Sequence, residues 1–265
     1  MKDLIVTMLQ EDLAWENKTR NLAVFRERMS SLKGKTHLVL LPEMFNTGFT
    51  MNAAAMHEGM DGPTVQWLLD NARELNAHVA GTLIVGDGGG FFNRMVWAEP
   101  QGKLHIYNKR HLFRMAGENG IFSPGNENIT IDCRGWRVRP FICYDLRFPV
   151  WSRNRNNDYD MAVYFANWPE RRARHWQVLL QARAMENQAY VAGVNRVGKD
   201  AKGIRYTGDS CIIDPWGNDA VRLDAEAGTA TAVLSGSMLT SCRRDFPVWQ
   251  DADTDFCGSG NQGGP

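Results

Sequence analysis

The sequence predicts an α/β protein in which two β-sheets pack together with helices on the outside, and three observations lead there. Short apolar runs alternate with amphipathic helical patterns from residue 4 to residue 85, an order that yields parallel strands covered by helices. Between Arg94 and Cys143 the pattern changes to pairs of short strands joined by tight turns, which reads as antiparallel. After Met161 the alternation resumes, so each strand-rich half has helices of its own.

Leu4 to Leu9 reads as a buried opening strand. A polar turn follows, then a helix from about Asn17 to near Gly34, in which Leu22, Phe25, Met29 and Leu32 recur at helical spacing. His37 to Leu41 is the next strand. Pro63 suits the first turn of a second helix, where a missing N–H costs nothing, and Val65, Leu68, Leu69, Ala72 and Leu75 form its apolar stripe. Val79 to Val85 is a strand leading into the turn Asp87–Gly88–Gly89–Gly90. Arg94 to Ala98 and Lys103 to Tyr107 flank a Pro–Gln–Gly turn, and Ile129 to Cys133 and Val138 to Cys143 flank Arg134–Gly135. Strand Met161 to Phe165, helix Arg174 to Asn187 and strand Tyr190 to Asn195 come next, with further strands near Ser210 to Asp214 and Ala230 to Leu234. With 265 residues the chain is expected to form one domain over residues 1–257. Residues 258–265, poor in apolar side chains, read as a disordered tail.

Composition narrows the function. Thirty basic and thirty acidic residues give a formal net charge of +0, which supports neither a nucleic-acid partner nor a membrane-surface one. There is no leader pattern and no apolar stretch approaching ~20 residues, so a cytoplasmic location is expected. The five cysteines, Cys133, Cys143, Cys211, Cys242 and Cys257, are odd in number and lack CxxC spacing, which argues against a disulfide framework and a zinc site. No metal or organic cofactor is expected.

Cys143 carries the most chemistry. It sits where the apolar run ending Phe141–Ile142 stops and Tyr144–Asp145–Leu146–Arg147–Phe148–Pro149 begins, a junction at which nucleophiles are commonly presented. Two other strands end in charged residues: His37 to Leu41 runs into Pro42–Glu43, and Leu104 to Tyr107 into Asn108–Lys109. If the three strand ends meet on one rim, they supply a base, a cation and a nucleophile. Taken singly, each residue has an ordinary reading: a buried small hydrophobe, a turn acid, a surface lysine, and for Glu118 a loop acid.

In combination these segments resemble the nitrilase superfamily, the carbon–nitrogen hydrolases. The matching pieces are Leu41–Pro42–Glu43–Met44–Phe45, Tyr107–Asn108–Lys109–Arg110–His111–Leu112–Phe113 and Cys143–Tyr144–Asp145–Leu146–Arg147–Phe148–Pro149. Arg183 to Val191 and Gly208 to Gly217 extend the match, in family order, over most of residues 1–235. The resemblance implies a four-layer α-β-β-α sandwich, with Glu43 as general base, Lys109 as transition-state stabiliser and Cys143 as nucleophile. It also implies that Glu118 orients the lysine and substrate. Chemically the set is coherent, because a carboxamide is a poor electrophile and needs an activated thiol and a stabilised oxyanion. The Tyr144 N–H is a second candidate donor to that oxyanion.

Within the superfamily the resemblance is to ω-amidases, which cleave the terminal amide of dicarboxylic monoamides such as α-ketoglutaramate and α-ketosuccinamate. It is strengthened by Ala166–Asn167–Trp168–Pro169 and Phe246 to Asp253. Arg171 and Arg172, and less so Arg147, are candidates for holding the far carboxylate, since a guanidinium fork matches it, while Tyr144 and Trp168 wall a small pocket or simply pack. Two rivals stand beside this: another superfamily hydrolase acting on a nitrile, an N-carbamoyl group or an aliphatic amide, and a non-catalytic scaffold of the same fold. The resemblance implies a homodimer too, with Trp151, Trp176 and Leu180 expected at its interface or, equally, inside the core.

Overall fold

The computed structural model describes residues 1–253. The expected domain end at residue 257 and the tail 258–265 lie outside the described residues.

The first half runs β1 (Leu4–Gln10), α1 (Lys18–Met29), β2 (Leu38–Leu40), α2 (Ala53–Met56), α3 (Pro63–Leu75), β3 (His78–Asp87), β4 (Gly90–Ala98) and β5 (Leu104–Asn108). The second half runs β6 (Ile131–Cys133), β7 (Trp136–Ile142), α4 (Pro149–Ser152), β8 (Met161–Phe165), α5 (Ala173–Asn187) and β9 (Tyr190–Val194). It continues with β10 (Val197–Lys199), β11 (Arg205–Thr207), β12 (Cys211–Ile213), β13 (Asp219–Arg222), β14 (Gly228–Leu234) and α6 (Gly236–Asp245).

Two six-stranded sheets result, in the orders β14-β1-β2-β3-β4-β5 and β13-β12-β9-β8-β7-β6. Pairing is parallel where helices intervene, as in β1–β2–β3 and β7–β8–β9, and antiparallel where tight turns do, as in β4–β5 and β6–β7. The period-2 alternation of a strand gives each sheet two apolar faces. On β8, Met161, Val163 and Phe165 point into the core between the sheets, while Ala162 and Tyr164 point outward to Trp176, Leu180 and Ala184 of α5. On the other sheet, Val39 and Val79 meet Phe25 of α1 and Val65, Leu68 and Ala72 of α3. The layers are therefore α-β-β-α.

Several boundaries differ from expectation. Helix α1 ends at Met29, short of Gly34, because residues 30–35 turn on Leu32 N–H to Met29 O and Lys35 N–H to Leu32 O bonds. The β10–β11 hairpin, β13 and α6 were not anticipated, being short or weakly apolar segments whose pairing is decided by distant neighbours. Trp176 and Leu180 are corrected as interface residues: both are fully buried within the chain, against the outer face of β8 and β9. Gly193 explains the closeness, since a Cβ there would sit 2.5 Å from Leu180 and 2.7 Å from Trp176. Trp151 is half-buried and packs inward as well, its indole N–H donating to Tyr107 Oη at 3.0 Å.

Candidate active site

Glu43, Lys109 and Cys143 each follow a strand end, those of β2, β5 and β7. The chain beyond β5 is pinned by two backbone bonds, Lys109 N–H to Asn93 O and Gly125 N–H to Lys109 O. Residue 125 must be glycine for this, as a Cβ would lie 2.3 Å from Asn108 O.

Lys109, Glu43 and Glu118 have no solvent-exposed surface. Lys109 Nζ donates to Glu43 Oε1 at 2.8 Å and to Glu118 Oε1 and Oε2 at 3.1 and 3.0 Å. Burial alone would lower the Lys109 ammonium, but the charges of Glu118 and Glu43 outweigh it and hold it above its ordinary value. Burial and the neighbouring Glu43 charge raise Glu118, against the pull of Lys109. Glu118 also accepts from the Phe113 N–H, at 2.5 Å.

Cys143 has φ +43°, in the left-handed region that a non-glycine residue enters only when its surroundings impose it. Asp145 supplies much of that constraint. Its Oδ2 accepts from the Ile142 N–H (3.0 Å) and Tyr107 O–H (2.7 Å), and its Oδ1 from the His111 N–H (2.9 Å), with His111 Nδ1 a further 2.8 Å away. The His111 ring in turn stacks on Phe148, centroids 3.7 Å apart. Burial pushes the Cys143 thiol well up, the Glu43 charge adds to this and Lys109 opposes it. The site as built thus disfavours a free thiolate.

Cys143 opens onto a cavity of about 220 Å³ whose lining includes Tyr144, Arg147, Asn167, Trp168, Arg171 and Arg172. All the sequence-predicted pocket residues thus share one cavity with the thiol. Arg147 lies over the Trp168 ring at 4.8 Å and Arg172 over Phe113 at 5.3 Å. Among the described residues, none of the three arginines makes an ion pair, although other lysines and arginines make fifteen such contacts with carboxylates. Burial, then repulsion from Arg171, lowers Arg172. Across the mouth stand Asp200, Lys202, Ile204 and Tyr206 of the β10–β11 hairpin. No group of three or more His, Cys, Asp or Glu side chains suited to a metal occurs among the described residues.

Three residues were given no role by the sequence, although Asn167 and Asp145 lie in the matching motifs. Asn93 Nδ2 donates to Glu43 Oε1 at 2.8 Å and to Glu118 Oε1 at 3.2 Å. Asn167 donates its N–H to Glu43 Oε2 at 2.8 Å and its side-chain amide to Glu43 O. Asp145 is the third. The available signal was the same in each case: a short polar side chain beside or within a run that is otherwise buried and apolar, where an unpartnered amide or carboxylate is costly.

Comparison with known proteins agrees with this architecture. The carbon–nitrogen hydrolase family profile matches residues 5–244, and the chain belongs to that family. It is 48% identical to the Escherichia coli K12 protein named Omega-amidase YafV, over 96% of this chain and 98% of that one. It is 30% identical to the 2-oxoglutaramate amidase of Bacillus subtilis, over 95% and 98%. The crystal structure of XC1258 from Xanthomonas campestris, a CN-hydrolase superfamily protein with an arsenic adduct in its active site, superposes with a TM-score of 0.94 at 39% identity, covering 96% of this chain and 98% of that one.

Proposed function

We propose that this protein is a cysteine-dependent ω-amidase, hydrolysing the terminal carboxamide of a small dicarboxylic monoamide of the 2-oxoglutaramate type to the acid and ammonia. The observation that carries the reading is one cavity holding both Cys143, beside the Glu43–Lys109–Glu118 cluster, and three arginines without acidic partners. A cationic rim favours a substrate whose far end is a carboxylate. Relatives named for ω-amidase and 2-oxoglutaramate amidase activity, alignable over nearly the whole chain, support the same choice.

In this mechanism Cys143 Sγ attacks the amide carbon as its proton passes to Glu43. Oε1 of Glu43 already accepts from Lys109 and Asn93, whereas among the described residues Oε2 accepts from Asn167 N–H alone, so Oε2 has the lone pair to spare. The Lys109 ammonium and the Tyr144 N–H, a first-turn donor without an intrahelical acceptor, hold the tetrahedral oxyanion. Collapse breaks the C–N bond, and the leaving nitrogen takes the proton from Glu43 and departs as ammonia. Glu43 then deprotonates a water that attacks the Cys143 thioester, and the proton returns to the sulfur as the acid leaves. Glu118 fixes where the ammonium points.

A cytoplasmic setting suits a mechanism that depends on a free thiol. A homodimer is part of the proposal, with Val150, Val178 and Met185 as its contact, since they remain 68%, 41% and 47% exposed on α4 and the outer side of α5.

Ammonia release across a panel of ω-amides, nitriles and N-carbamoyl acids tests the reading. Turnover confined to ω-amides with a distal carboxylate, and lost in a folded Cys143→Ala variant, is the expected result. Preference for a nitrile or N-carbamoyl acid would replace the substrate, and turnover surviving in Cys143→Ala would end the covalent mechanism.

A further inference from the structure

We propose that Asn93 is a positioning residue, locked by Thr82 so that its amide hydrogens keep Glu43 and Glu118 in the acceptor state that proton transfer from Cys143 requires. The inference rests on the thiol–Glu43 chemistry proposed above and deepens it.

The direction of the hydrogen-bond chain is set at its far end. Met44 N–H donates to Thr82 Oγ1 at 2.8 Å, and Thr82 in turn donates its hydroxyl proton to Asn93 Oδ1 at 2.9 Å. The Asn93 amide therefore presents its NH₂ group to the carboxylates, one hydrogen towards Glu43 Oε1 and the other towards Glu118 Oε1. A flipped amide would aim an oxygen at two acceptors. Thr82, Asn93 and both glutamates are all fully buried, so no solvent replaces a lost partner.

The need for such a donor follows from charge. Two carboxylates share one ammonium, which leaves the ionised cluster at net −1 in a region without solvent, and such a pair relieves itself by taking up a proton. The charged and titratable groups facing the pair are Lys109 and the Cys143 thiol, with Arg172 further out across the cavity. Phe113 N–H and Asn167 N–H add one neutral donor to each carboxylate, on the oxygens Asn93 does not touch. Asn93 is the neutral group that bridges both. Without it, both carboxylates lose a donor at once, and a proton held by the pair quenches the base.

The test compares wild type with Asn93→Ala, Thr82→Val and Thr82→Ser. Two pH profiles are measured on each: kcat/KM for ammonia release, and the rate of Cys143 alkylation by iodoacetamide. The expected result is an acid limb raised by about one pH unit in Asn93→Ala and Thr82→Val, the size of effect that loss of one charged hydrogen bond brings, with Thr82→Ser restoring the wild-type limb. Rates that fall uniformly with unmoved limbs would overturn the proposal, and if one variant fails to fold the other decides. Alkylation separates this inference from the substrate assignment: a wild type that releases no ammonia from ω-amides, but whose alkylation limb moves in Asn93→Ala, refutes the substrate and keeps the role of Asn93.

Discussion

Lys109 Nζ lies 2.8 Å from Glu43 Oε1, and neither side chain has any solvent-exposed surface. Lys109→Ala should therefore have two separable effects. It removes the charge proposed to hold the oxyanion, so kcat should fall by roughly 100-fold or more while KM changes little. It also strands two buried carboxylates, which should lower stability by about 3–5 kcal/mol in denaturant unfolding. A variant with weakened substrate binding and intact kcat would contradict the assigned role.

Asp145 ties two strand ends together behind Cys143, that of β5 through Tyr107 and His111 and that of β7 through Ile142. An amide keeps one good acceptor oxygen where the carboxylate has two, so Asp145→Asn should cost about 2 kcal/mol of stability. The left-handed conformation of Cys143 should relax with it. Lower kcat together with slower alkylation of Cys143 is expected; unchanged alkylation would show that the turn holds without Asp145.

Trp176→Glu should fail to fold, because the indole is buried against β9 and its N–H donates to Asp209 O at 3.0 Å. Met185→Glu or Val178→Glu, on the exposed side of the same helix, should leave a folded protein and shift light scattering from dimer to monomer. A wild type that scatters as a monomer disposes of the dimer altogether.

In a Cys257→Ser background, native protein should take up one equivalent of iodoacetamide, at Cys143, and Cys143→Ser should abolish it. Cys133, Cys211 and Cys242 are buried, whereas Cys143 is only half-buried and opens onto the cavity, so access and not thiol acidity separates them. Two or more equivalents under native conditions would show that one of these thiols opens to solvent.

Asp160 sets an acid limit on stability. Burial would raise its carboxyl, but hydrogen bonds from Arg137 (3.0, 3.1 and 2.8 Å) and Arg243 (2.7 Å) hold it below its ordinary value. The folded state thus binds this proton more weakly than the unfolded chain, so the stabilisation is complete above the unfolded value of ~3.9 and disappears as pH falls through the lower folded value. Asp160→Asn should be less stable than wild type at pH 7, by about 2 kcal/mol, with the gap closing as pH falls below the unfolded carboxylate's value. A gap that stays constant with pH would assign the loss to packing.

Periodicity and element order pointed to two packed sheets with helices outside, and the family resemblance implied the four-layer order. Val65, Leu68 and Ala72 mark one helix face whatever covers it, and alternating strands joined by helices have few ways to pair. That Glu43, Lys109 and Cys143 each follow a strand end was legible for a related reason, but β2 and β5 belong to one sheet and β7 to the other, so their meeting depends on how the two sheets stack. Tertiary structure decided what local pattern does not encode. The stripe carrying Trp176 and Leu180 reads the same whether a sheet or a second copy lies against it, and only the packing of α5 on β9 settles which. Asn93 and Asp145 look like ordinary polar residues in the chain because the partners that place them in the site are far off, Glu118 and Glu43 at 25 and 50 positions for one, His111 and Tyr107 at 34 and 38 for the other. Their importance comes from burial, which turns a commonplace amide or carboxylate into a group that must be satisfied, and burial is a property of the assembled sheets.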